Sequence, residues 1–198
     1  GLYEVDTRLR PNGKSGLLVS SLQAFERYQR EEAWTWEHQA LLRGRAVAGS
    51  KSLRVAFEAI RTATLTEHVR RDSLKADVAD MRVKMREELS KETAELFDLK
   101  QGRGGVTDIE FIVQYLVLQE AREHHDLVYY SDNIRQLEAL AKAGILPADE
   151  AERLADAYRN YRRRIHRLAL AGHATVAPRV EVEDLPDVVC DAWRKVFA

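Results

Sequence analysis

Several things are scarce in this sequence, and each shortage excludes something. One residue of 198 is a cysteine, Cys190, so no internal disulfide can form; that fits a reducing compartment, and a cytoplasmic protein is expected. No apolar run approaches the roughly 20 residues of a membrane span, and no signal-peptide pattern is present, so no membrane association is expected. An excess of one charge is also missing. The 31 Lys and Arg stand against 32 Asp and Glu, so no global positive field recruits a polyanion, and nucleic acid is not an expected partner. Internal repeats and low-complexity tracts do not occur. What remains is 45% hydrophobic and 32% charged, enough to bury one sizeable core or two small ones. The chain starts at Gly1, without Met and almost at once inside a strand pattern, and so reads as a piece of something longer.

Strand pattern is confined to residues 2–19. In YEVDTRLR, Tyr3, Val5, Thr7 and Leu9 alternate with Glu4, Asp6, Arg8 and Arg10, the period of an extended strand. A turn, PNGKSG, and a short apolar arm, LLVS, complete an expected β-hairpin. Everything later reads as helix. Ser20 with Gln23 predicts a capped helix through Glu32, residues 34–47 a second, and AGS at 48–50 a break. From Lys51 the periodicity is that of a helical bundle, with stripes at Leu53, Phe57, Ile60 and Thr64, then Leu74, Val78, Met81, Met85 and Leu89. Residues 106–119 are apolar nearly all round, as in a central buried helix. Ile134, Leu137, Leu140 and Ala141 give a one-sided face up to Gly144. A long helix then carries a seam at Ala151, Leu154, Tyr158, Tyr161, Ile165 and Leu168. HATVAPRVEVED reads as an extended loop, and residues 185–197 as a closing helix.

Three stretches could carry chemistry. The charged face of the first strand is either a solvated edge or half of a nucleotide site, in which Asp6 would hold a divalent metal while Arg8 and Arg10 neutralise phosphate. PNGKSG offers Lys14 between glycines but lacks P-loop spacing. In AWTWEHQALLRGR, Trp36, Gln39 and Arg43 share one side of a helix, with Glu37 and Arg45 nearby. The set faces a cleft, or else the tryptophans fill core and the arginines pair with acids. In KQGRGGVTDIEF, glycines precede a helix starting near Thr107, so free amides and the dipole could receive an anion. The rival there is a capping box of Thr107 with Glu110, with Asp108 satisfying the dipole. Only one acid is needed for the box, which leaves Lys100, Arg103, Asp108 and Gln114 as polar residues around a very apolar helix. The doublet His125-Asp126 lacks the companions of a metal site, and Arg159, Arg162, Arg163, Arg164 and Arg167 form a basic surface on the long helix.

The stretches LYEVDTRLRPNGKSGLLVSSLQAFERYQREEAWTWEHQALLRGR and KQGRGGVTDIEFIVQYLVL closely resemble the C-terminal, adenylylating half of the bacterial glutamine synthetase adenylyltransferases. The resemblance covers essentially the whole chain. It implies a mainly α fold, in which residues 1–49 are the trailing part of an α/β polymerase-β-like nucleotidyltransferase domain and residues 50–198 a helical bundle. It implies transfer of AMP from ATP to a tyrosine of glutamine synthetase, with Mg2+ as cofactor and PII signalling protein and glutamine as regulators. Asp6 would be a metal and catalytic residue beside Arg8 and Arg10. Lys14, Trp36, Glu37, Gln39, Arg43, Arg45, Lys100, Gly104, Gly105, Asp108 and Glu110 would shape the nucleotide site. The wording EAWTWEHQALLRGR and GGVTDIEF is similar to the adenylylating half rather than the deadenylylating, phosphorolytic one. The family's upstream paired carboxylates have no counterpart here, so the chain alone is expected to be inactive. The competing expectation is a non-catalytic helical module that binds glutamine synthetase or a PII protein.

Overall fold

A computed structural model of the chain describes residues 10–182 and 184–198. Among them are eight α-helices: α1 (Leu22–Glu31), α2 (Thr35–Leu42), α3 (Lys51–Ala63), α4 (Arg71–Leu89), α5 (Val106–Glu120), α6 (Asn133–Lys142), α7 (Ala148–Leu170) and α8 (Leu185–Phe197). The first arm of the expected hairpin, with Asp6 and Arg8, lies outside the described residues.

Local chemistry sets the helix ends. Ser21, Ser50 and Asp132 accept the amides of Ala24, Leu53 and Arg135, the N-cap bond that satisfies one otherwise orphaned donor. The first cap is thus Ser21 and not Ser20. Pro147 precedes α7, and Gly144 and Gly172, both in the left-handed region, follow α6 and α7. The mainly helical expectation holds, and the long seam of α7 is buried or packed on the core along its whole length. Leu53 and Leu89, at helix ends, are exposed instead. α5 is the axis of the structure: it contacts α2, α4, α6, α7 and α8, and ten of its residues are buried, as its nearly unbroken apolar sequence requires.

Two elements differ from expectation. LLVS forms no strand. Asn12, at a left-handed φ of 60°, starts a 3-10 turn over Gly13–Ser15. Its amides close back on Arg10 and Asn12, and Leu17, Leu18 and Val19 emerge exposed rather than on a packed face. The HATVAPRVEVED loop, in turn, contains a strand. β2 (Val176–Pro178) pairs antiparallel with β1 (Leu96–Asp98), Phe97 opposite Ala177. Three residues per strand are too few for a period of two to be read, and the partners lie some eighty positions apart in the chain. This ribbon holds the loop that leads into α5.

α2 is tied down at both ends. Glu37 accepts the amide of Trp34 at 2.9 Å and the hydroxyl of Tyr28 at 2.9 and 3.1 Å. At the other end the buried Arg61 guanidinium donates to the carbonyls of Leu41, Leu42 and Val128 at 3.1, 2.5 and 2.7 Å. A cation on the last carbonyls satisfies orphan acceptors and the negative end of the dipole together. The end of α2 therefore points Arg43 and Arg45 outward from a fixed base.

Candidate functional site

A cleft of about 670 Å3 opens between the N-terminal turn and helices α1, α2 and α3. Arg10, Arg43 and Arg45 line it, with Glu37 and Gln29, and Phe25 and Phe57 form its apolar wall. The two rings stack at 5.8 Å between centroids and 30° between planes, a stable offset pair. Three guanidinium groups and an aromatic wall around a space of this size suit a ligand with one flat apolar end and one anionic end.

Arg43 is held in place. Its Nη1 donates to Glu110 Oε1 at 2.9 Å, and the same oxygen accepts from Tyr158 at 3.2 Å and from Asn133 at 3.4 Å. Burial opposes the charge of Arg43, but Glu110 and Tyr158 outweigh it, and its pKa lies above the ordinary arginine value. One helical turn back, Gln39 donates to Gln114 at 2.8 Å, with both amides buried. Gln39 and Arg43 on α2 thus meet Gln114 and Glu110 on α5 in a two-rung antiparallel ladder. The expectation that Arg43 pairs with an acid and the expectation that it faces a cleft are both realised.

The GGVTDIEF residues are divided by the helix that carries them. Glu110 does not return to Thr107 in a capping box; the helix starts one residue earlier, at Val106, and Glu110 turns toward α2. Asp108, two residues away and so nearly opposite on the helix, is buried. Its Oδ1 accepts from Arg82 Nε at 2.5 Å and from Arg86 at 3.4 Å, and its Oδ2 accepts the amide of Gly104 at 2.6 Å. Arg82, fully buried, also donates to Gln101 Oε1 and to the Gln101 and Gly102 carbonyls. Desolvation pulls its pKa below the ordinary value, with Asp108 opposing that shift.

The glycine amides before α5, the expected receivers of an anion, are engaged within the chain: Gly102 donates to the Asp98 carbonyl and Gly104 to Asp108. The amides of Gly105, Val106, Thr107 and Asp108 are taken by the carbonyls of Gly102, Leu99, Lys100 and Gly105, and Asp108 itself is the anion at the helix start. Gly104 is required for another reason. Its φ is +87°, and a Cβ there would stand 2.4 Å from the Pro186 carbonyl oxygen, so only glycine lets α8 approach. Tyr161 closes this knot by donating to the Gly104 carbonyl at 2.9 Å. Lys100 is exposed; its amide donates to Asp98.

The remaining expected residues fall elsewhere. Trp36, partly exposed, lines a separate hollow with Trp34, Arg70 and Asp77. Asp6, Arg8 and the side chain of Lys14 lie outside the described residues. Among those described, no three or more His, Cys, Asp or Glu side chains are grouped so that they could hold a metal ion. Sequence reasoning missed Phe25, Phe57, Arg61 and Arg82. For the arginines the signal was present: Arg61 falls four residues after Phe57, and Arg82 four after Val78, both on apolar stripes.

No helix among the described residues is long and apolar enough to cross a membrane. Residues 1–60 match a family model described as glutamate-ammonia ligase adenylyltransferase, and residues 72–175 one described as GlnD PII-uridylyltransferase. Curated relatives named bifunctional glutamine synthetase adenylyltransferase/adenylyl-removing enzyme match nearly the whole chain. The protein of Hahella chejuensis is 48% identical over 100% of this chain and 21% of its own length. That of Nitrosococcus oceani is 55% identical over 87% and 18%, and that of Pseudomonas aeruginosa 45% over 98% and 21%. The chain spans about a fifth of the length of these relatives.

Proposed function

Because the chain belongs to the glutamate-ammonia ligase adenylyltransferase family, we propose that it supplies one wall of the nucleotide site of a larger cytoplasmic enzyme that transfers AMP from ATP to a tyrosine of glutamine synthetase. The observation that carries this reading is the cleft in which Arg10, Arg43 and Arg45 face the stacked Phe25 and Phe57. The adenine packs against the rings, and the guanidinium groups neutralise the phosphates. Arg43, fixed by Glu110, holds its charge in one place, so no reorganisation is needed as negative charge builds on departing pyrophosphate.

In this reading Asp6 and Arg8 complete the phosphate end. Magnesium belongs to the larger protein, with Asp6 as one ligand among others from outside this chain. Gly104, Gly105 and Asp108 position the start of α5 and touch no ligand. The names of the relatives include both addition and removal of the adenylyl group; the wording of GGVTDIEF and EAWTWEHQ favours addition. PII protein and glutamine are proposed as regulators of the whole enzyme, with no surface here assigned to them.

The test is AMP incorporation into glutamine synthetase from labelled ATP by the complete enzyme. Charged hydrogen bonds contribute about 1.5–3 kcal/mol each, so Arg43→Ala is expected to lower kcat/KM by roughly tenfold to a hundredfold. Residues 1–198 alone are expected to transfer none. Unchanged turnover in Arg43→Ala would remove the cleft from the site, and AMP transfer by the isolated chain would overturn the supporting role.

A further inference from the structure

The C-terminal half of α7 carries a cluster of guanidinium groups that the nucleotide cleft does not use. Arg163, Arg164 and Arg167 line a hollow of about 360 Å3 with Asn160, Leu99 and Ala177. Earlier on the helix two arginines are neutralised, Arg153 by Asp149 at 3.6 Å and Arg159 by Asp156 at 2.8 Å, while Arg162 contacts His166 at 3.1 Å. Among the described residues, no carboxylate comes within ion-pair distance of Arg163, Arg164 or Arg167. Glu181 lines the same hollow without pairing to any of the three.

Two ordinary explanations do not cover this arrangement. A cation near a helix C-terminus is favoured by the dipole, which accounts for Arg167 in the last turn but not for Arg163 and Arg164 one turn further in. Like charges four residues apart, as at 163 and 167, oppose the helix instead. The floor is apolar: Leu99, directly after β1, is fully buried, and Ala177 in β2 nearly so. A low-dielectric floor beneath three cations concentrates their field in the hollow. Arg164 is already oriented, its Nε donating to Asn160 at 2.8 Å, so less freedom is lost when its remaining donors engage a ligand.

We propose that this hollow is a second anion site, separate from the nucleotide cleft, for a small ligand carrying linked phosphate groups. The fork geometry of arginine matches phosphate oxygens pairwise. A concave space of this size takes a pyrophosphate or the phosphate chain of a nucleotide rather than the flat face of a protein.

The experiment is calorimetric titration of pyrophosphate, and in parallel ATP, into the 198-residue chain and into an Arg43→Ala variant whose cleft is weakened. Saturable binding is expected to persist in Arg43→Ala and to weaken at least tenfold on adding R163A and R167A, with unchanged circular dichroism. Similar affinity for pyrophosphate and ATP assigns the phosphate chain alone, and tighter ATP binding lost in the same variant assigns a nucleotide; both support the site. If Arg43→Ala alone abolishes binding, or R163A/R167A leaves it intact, the proposal fails. It fails equally if a polyglutamate peptide binds this patch and pyrophosphate does not.

Discussion

Replacing Asp108 by asparagine separates a positioning role from a ligand-binding one. Both carboxylate oxygens are committed, Oδ1 to Arg82 and Oδ2 to the Gly104 amide, at 2.5 and 2.6 Å. Asparagine keeps the shape but turns an NH2 toward one of these donors, whichever way the amide is placed, and leaves the buried Arg82 without its counterion. Breaking a buried ion pair from one side costs about 3–5 kcal/mol, a large share of the ~5–15 kcal/mol that holds a typical domain together. For a chain of this size, at roughly 2–4 °C per kcal/mol, the melting temperature should fall by roughly 6–20 °C. Urea unfolding followed by circular dichroism measures the loss. The double variant R82M/D108L, which removes both charges and keeps the volume, should be closer to the parent than either single change. A loss below about 1 kcal/mol for Asp108→Asn, within the range of ordinary substitutions, would refute the buried pair as the anchor of this loop. So would a double variant as damaged as the sum of the singles.

Two further outcomes follow from the contacts of α2. Gln39→Leu or Gln114→Leu leaves the other buried amide unpaired and should cost about 1–3 kcal/mol, while the double leucine variant should recover most of it; additive losses in a denaturation series would break the first rung of the ladder. His38 is buried, its Nε2–H donating to the Gln29 carbonyl at 3.0 Å, and burial holds its pKa below the ordinary histidine value of 6.5. The unfolded chain therefore takes up the proton first, and stability should be lost as pH falls below 6.5 toward the lowered folded value. Unfolding free energy measured between pH 7 and 5 should show this slope, and H38Q should flatten it; an identical slope in H38Q refutes the assignment.

Periodicity made much of this molecule legible. The α7 seam, the closing helix over Leu185–Phe197 and the all-round apolar α5 follow from spacing alone, because each buries a long face whose period declares it. The β1–β2 ribbon was illegible because three-residue strands have no measurable period. The candidate site was read in pieces. Glu37, Arg43, Arg45 and Arg10 do converge on one cleft, but its aromatic wall comes from Phe25 and Phe57, which look in sequence like two ordinary core positions on different helices. Asp108 and Glu110 are adjacent in every sequence-level argument. The helix sends them to opposite sides, one into a closed knot and one toward the cleft, and no spacing rule says which neighbour waits on either side.

The paired contacts of Gln39 with Gln114 and of Arg43 with Glu110 also work as an alignment key. Apolar helix faces tolerate sliding; a polar rung does not, since a shift of one turn would set Arg43 against the Gln114 amide and leave Glu110 facing apolar surface. The key spans the expected boundary near residue 50. Any hinge at the expected domain boundary therefore has to act before α2, and the guanidinium of Arg43 travels with α5 rather than with the residues that precede α2 in the chain.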